Sequence, residues 1–146
     1  MKIAIGADHG GFGLKEDIIK HLKEDGIDVI DCGIYKVESV DYPDYAESVA
    51  KQILSGNAEF GIVICGTGIG ISVSANKIKG IRCALCTDPF MSKMARMHNN
   101  ANMLALGGRV IGCGLAQEIV DTFINTSFEA GGRHERRVDK IMKLEK

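Results

Sequence analysis

The chain has 146 residues, 45% hydrophobic and 25% charged, with 18 basic against 19 acidic side chains for a formal net charge of −1. That length predicts a single domain over residues 1–146, able to bury roughly 68–70% of the surface its unfolded chain exposes. The near-neutral charge excludes the global basic field of a nucleic-acid binder, and no apolar run approaches the ~20 residues of a membrane span.

Short apolar runs alternate with longer helical patterns along the chain. Met1-Lys2-Ile3-Ala4-Ile5-Gly6 turns to glycine before a signal-peptide core could form, so a cytoplasmic location is expected. Lys2–Gly6 instead reads as a buried strand. In 12–25, Leu14, Ile18 and Leu22 recur at i, i+4 and i+8 with lysines between them, which predicts an amphipathic helix. Gly26 stops it, and 27–32 reads as a second strand. A helix over 42–54 opens at Pro43, where proline suits the first turn. Strands follow at 60–65, 81–86 and 103–106, with helices between them at 70–78 and 89–97. From Leu115, the residues Ile119, Val120, Phe123 and Ile124 restore a helical face. A charged helix over 133–144 carries Val138, Ile141 and Met142 on one side. This alternation predicts an α/β, Rossmann-like fold: a three-layer αβα sandwich around a five-stranded parallel sheet.

Open parallel sheets bind ligands beyond the carboxyl ends of their strands. The loops there should hold the informative residues, and unusual residues do fall in them. After the third strand comes Cys65-Gly66-Thr67-Gly68-Ile69-Gly70, three glycines in five residues at the opening of a helix. Backbone N–H groups in such a turn can hold an anion. The spacing fits neither a Walker loop nor a dinucleotide fingerprint, and on glycines alone a tight turn is the simpler reading. Cys65 tips the balance, because a thiol at a strand end before a helix start should favour the reactive thiolate. Asp8 and His9 follow the first strand beside Gly10-Gly11. His98-Asn99-Asn100 follows the helix after the fourth strand, and Gly107-Gly108-Arg109 follows the fifth.

The other cysteines point elsewhere. Five thiols are an odd count for a disulfide framework. Cys83-Ala-Leu-Cys86 has no second cysteine pair and no nearby histidine pair to complete a zinc site, so it reads as two buried strand thiols. His21, among lysines, reads as a solvated surface residue. Near the end, Arg133 and Arg137 are four apart and share a helical face, which suits a phosphate dianion; a solvated charge run is the plainer alternative. No aromatic residues lie among these arginines, which weakens an RNA-binding reading.

Taken in order, these motifs resemble the ribose-5-phosphate isomerase B family, which includes allose- and galactose-6-phosphate isomerases. The likeness runs over nearly the whole chain. It is carried by Gly6-Ala-Asp8-His9-Gly-Gly11-Phe-Gly-Leu14-Lys15, Asp41-Tyr42-Pro43, Cys65-Gly-Thr67-Gly-Ile-Gly70, Ala75-Asn76-Lys77 and Gly80-Ile81-Arg82. His98-Asn99, Ala101-Asn102, Gly107-Gly108-Arg109 and Gly131-Gly132-Arg133-His134 with Arg137-Val138 complete it. The resemblance implies a cysteine base at Cys65 that moves a proton between C2 and C1 of an open-chain sugar phosphate. It implies that Thr67 and His98 open the sugar ring, and that N–H groups of Gly66, Gly68 and Gly70 stabilise an enediolate. It assigns phosphate contacts to His9, Arg109, Arg133 and Arg137, and hydroxyl contacts to Asp8 and Asn99. No metal or cofactor is implied, and the expected partner is a second copy of the chain, with sites between subunits. One branch of the family uses a glutamate base where this chain has Ile71, so the likeness is to the cysteine branch. A hexose-6-phosphate isomerase on the same machinery, and a non-catalytic phosphosugar- or nucleotide-binding module, are the alternatives. The module has no use for a thiolate or for His98.

Overall fold

The computed structural model describes residues 1–145. Along them run β1 (Lys2–Ala7), α1 (Phe12–Glu24), β2 (Asp28–Asp31), α2 (Tyr42–Leu54), β3 (Phe60–Cys65) and α3 (Ile69–Asn76). They are followed by β4 (Cys83–Leu85), α4 (Pro89–Asn99), β5 (Met103–Gly107), α5 (Cys113–Ile124) and α6 (Arg133–Met142). Every strand pairing is parallel and the order is β2-β1-β3-β5-β4. This is the three-layer arrangement that the alternation predicts.

Strand side chains alternate between faces, so each strand feeds two cores. Ile3, Ile5, Ile62, Ile64, Leu104 and Leu106 pack with α1, α4 and α5. Ala4, Val63, Cys65, Met103 and Ala105 pack with α2 and α3. Cys65 is thereby turned towards α3, the helix that follows it. The two edge strands are shorter than their apolar runs. β4 is held only by β5, over Cys83–Leu85, and Arg82 is drawn into the turn by Asn102 Oδ1, which accepts from its N–H at 2.8 Å.

Two side chains of α1 are more buried than its amphipathic pattern shows. Lys15, one of the lysines of that pattern, is fully buried: Nζ donates to Asp31 Oδ1 (2.8 Å) and Oδ2 (3.0 Å) and to Glu16 Oε1 (3.0 Å). Its place in the first turn of α1 aims the ammonium at the end of β2, where those carboxylates neutralise it. His21 is half-buried rather than solvated, because Asp121 of α5 lies across from it, Nε2 to Oδ1 at 2.8 Å. That partner is 100 residues away in sequence. Among the described residues, no helix is long and apolar enough to cross a membrane.

Candidate active site

The carboxyl ends of β1, β3 and β5, neighbours in the sheet, bring three glycine loops into backbone contact. Asp8 N–H donates to Ile64 O (3.2 Å), Gly108 N–H to Cys65 O (2.8 Å) and Arg109 N–H to Gly66 O (2.9 Å). A Cβ on Gly10 would stand 2.8 Å from Gly66 N, and one on Gly108 would strike Gly10 O. Only glycine permits that approach. Gly68 also has φ +81, and a Cβ there would meet the Leu106 carbonyl. Its left-handed turn starts α3 at Ile69, one residue before the expected start, so Gly70 is the second residue of the helix rather than its first.

Cys65 is buried, 5% exposed, and its Sγ accepts from the Gly68 N–H at 3.1 Å. Beside it, Thr67 is exposed, and its Oγ1 accepts from Ile69 N–H at 3.2 Å. The first-turn N–H groups of α3 have no partners within the helix and face the same side. Asp8 is buried and ties its loop by accepting from Gly10 N–H at 2.9 Å. His9 is exposed, with Nδ1 accepting from Val40 N–H at 3.4 Å. Arg109 reaches over Gly66, where a Cβ would lie 3.1 Å from its Nη1. Tyr42, at the start of α2, lays its ring on Gly70. Sequence reasoning gave Tyr42 no role, although its position directly before Pro43 at a helix start marks it.

The remaining expected site residues are elsewhere. Sequence position put His98 and Asn99 with the loops after the strands, but α4 carries the chain back across the sheet. Asn102 O accepts from Gly61 N–H (3.1 Å) at the start of β3, so His98 and Asn99 flank the amino-terminal edge. The chain between α5 and α6 meets the same place, with Glu129 N–H donating to Met97 O (3.0 Å). Arg133 and Arg137 extend from α6 beside it, both exposed. β3 has six residues, and rises of ~3.3 Å put roughly 16 Å of sheet between this group and Cys65. One chain therefore carries two half-constellations on opposite edges. No ion pair among the described residues engages Arg109, Arg133 or Arg137.

Burial pushes Cys86 up to about 12, helped by Asp88, and pushes Cys83 higher still, with Cys86 adding to it. Cys86 is buried and Cys83 half-buried in the edge strand, both inert as thiolates.

Two clusters with metal-ligand chemistry form from residues too distant in sequence to be seen there: His98, Glu129 and His134, and His21, Asp25 and Asp121. The first is not built to converge on an ion. Its imidazoles are stacked 3.8 Å apart with planes 7° from parallel. Their lone pairs lie in those parallel planes and cannot point at one centre. In the second, Asp121 Oδ1 already takes the His21 ring nitrogen as a hydrogen-bond partner.

Residues 3–141 match the family model described as Ribose/Galactose Isomerase. Ribose-5-phosphate isomerase B of Escherichia coli (strain K12) is 49% identical over 144 residues, covering 99% of this chain and 96% of its own. Among solved structures, ribose-5-phosphate isomerase B of Clostridium thermocellum superposes with a TM-score of 0.97 at 55% identity, covering 99% of this chain and 97% of the other. A ribose 5-phosphate isomerase of Thermotoga maritima does so with 0.95 at 57% identity, covering 97% of each chain.

Proposed function

This chain belongs to the ribose/galactose isomerase family, and from that premise we propose that it interconverts ribose 5-phosphate and ribulose 5-phosphate through an enediolate, with Cys65 as the base. The observation that carries the proposal is the Gly68 N–H on Cys65 Sγ at 3.1 Å, inside the meeting point of three glycine loops. That hydrogen bond holds the sulfur at the loops, and the thiolate is the form that takes a proton. Cys65 removes the C2 proton of the open-chain aldose, and the electron pair moves onto the carbonyl oxygen at C1. Backbone N–H groups at Gly66 to Gly70 receive that developing charge. The C2 hydroxyl proton passes to O1, and return of the carbon-bound proton to C1 as the C2 carbonyl forms gives the ketose. Atoms and electrons balance without an external oxidant or reductant.

Asp8 and Asn99 are assigned to the sugar hydroxyls, and His9, Arg109, Arg133 and Arg137 to the phosphate. His98 and Thr67 are assigned to opening the furanose ring, where an imidazole trades protons near neutral pH. Because these groups lie on opposite sheet edges, the proposal requires two subunits, each lending its His98 edge to its partner's Cys65 edge. Apolar surface supports such a pairing: Ile69 and Val73 of α3 and Phe90 and Met91 of α4 are exposed beside β4. We read the enzyme as a cytoplasmic homodimer of the pentose phosphate pathway.

Initial rates over a panel of aldose phosphates test the substrate. Turnover of ribose 5-phosphate well above allose 6-phosphate and galactose 6-phosphate is expected; the reverse ranking would make this a hexose-phosphate isomerase on the same site. Arg133→Ala and Arg137→Ala should each lower kcat/KM by about ten- to hundredfold, the value of a charged hydrogen bond of ~1.5–3 kcal/mol. Remote phosphate binding also supports the reaction step, so kcat should fall with it. Wild-type kcat/KM in both variants would remove these arginines from the phosphate site.

A further inference from the structure

The last turn of α4 is unusually well anchored. Arg96 lies over Phe60 and Phe123, 4.5 and 5.7 Å from their ring centroids, and donates to Thr126 O at 3.3 Å and Asn100 Oδ1 at 3.1 Å. Arg82 adds two bonds to Asn100 O, at 3.0 and 2.9 Å. Backbone held this firmly gives His98 a fixed origin, yet none of these groups touches its ring. The ring is set by His134 of α6, whose own side chain is 13% exposed and stacked face to face on it at 3.8 Å. α6 is held in turn by buried Val138, one turn further along.

We propose that His134 is a positioning residue for His98: its ring holds the His98 imidazole in one plane and lies against the charge when His98 takes a proton during ring opening. The inference rests on the ring-opening role given to His98 above. Two imidazolium rings at 3.8 Å would repel, so the stack favours a single charge. Burial against α4 pushes His134 below the ordinary imidazole range, and His98, Arg133 and Arg137 push the same way. Glu129 Oε2, 3.7 Å from its Nε2, opposes them. These influences favour the neutral ring at His134, whose π face then lies against a charged His98 as in a cation–π contact. The groups facing the pair are therefore Glu129 from the α5–α6 connection and Arg133 and Arg137 from α6. His134 needs no contact with substrate to act this way.

Ribose 5-phosphate is cyclic and must be opened, whereas ribulose 5-phosphate, with its C5 oxygen esterified, stays open. The two directions of isomerisation are tied by the equilibrium constant, so His98→Asn should lower kcat/KM for both alike, while it spares enediolate formation from open-chain ribulose 5-phosphate, read as exchange of its C1 proton with deuterated solvent. His134→Ala should reproduce that selective loss at roughly two- to thirtyfold, the range of a cation–π contact. It should add nothing further in the His98→Asn background, since it acts through that ring. His134→Phe keeps a flat neutral ring of similar size and should recover most of the loss, with KM little changed. If the alanine variant melts early, His134→Gln against His134→Phe carries the same comparison. Equal losses of isomerisation and of C1 proton exchange in His134→Ala, or additive losses in the double variant, would overturn the role of His134 and leave that of His98 standing. A His98→Asn protein that loses isomerisation of ribose 5-phosphate no more than it loses C1 proton exchange of ribulose 5-phosphate would overturn both.

Discussion

Replacing Cys65 by alanine is expected to cut turnover by about 10²–10⁴-fold, the usual worth of a positioned general base, while the protein folds and still binds a phosphorylated sugar. Folding should survive because the change removes one sulfur from a site at the end of β3, not from the centre of either core. The glycine loops are closed by backbone bonds that the side chain does not make: Cys65 O still accepts from Gly108 N–H at 2.8 Å. What disappears is the atom that takes the proton, together with the acceptor for the Gly68 N–H. In deuterated solvent the wild type should wash deuterium into the substrate at C2 to the extent that its thiol exchanges, and the alanine variant should not. Binding of a phosphosugar, followed by calorimetry, separates loss of chemistry from loss of the site. A correctly folded Cys65→Ala protein with wild-type turnover or exchange would sink the thiolate mechanism. Cys83 and Cys86 cannot stand in, since burial holds them as neutral thiols.

Most of the architecture was readable from hydrophobic period. Five buried runs became the five strands and the amphipathic patterns became helices, with boundaries displaced where a local contact overrode the pattern. Ile81 and Cys86 are as apolar as the residues between them, yet β4 stops at Cys83–Leu85, because an edge strand extends only as far as its single neighbour pairs with it. At the site, residues adjacent in sequence were assigned together and are together: Asp8 with His9, Cys65 with Thr67. Pairings across long stretches were not readable. The burial of Lys15 could not be read, because a helical wheel cannot show that Asp31 waits at the end of β2. His98 and His134 are 36 positions apart and on different helices, so nothing in spacing announced their stack. The edge on which His98 falls was within reach of argument, since a helix after a parallel strand must return the chain to the other edge. Its place after a strand's helix, rather than directly after a strand, was the signal.

Mixing two crippled proteins should restore activity that neither has alone, and this follows from the two half-constellations on opposite edges. A chain with Cys65→Ala keeps Arg133 and Arg137, and a chain with Arg133→Ala and Arg137→Ala keeps Cys65. The second should be down by roughly 10²–10⁴-fold, two charged contacts of ~1.5–3 kcal/mol each. If each site joins the Cys65 edge of one subunit to the arginine edge of its partner, a hybrid dimer holds one site with every group intact and one with both defects. Random exchange makes half the dimers hybrid in a two-fold assembly, so recovery should approach about a quarter of wild-type activity at equal mixing. Roughly 16 Å of sheet along β3 stands between Cys65 and the arginine edge of its own chain, a gap that no rotamer closes. Sites built within one chain would give no recovery at any ratio. The decisive sample is a hybrid isolated with two different affinity tags: activity near half that of a wild-type dimer supports the shared site, and activity no greater than that of the parents refutes it.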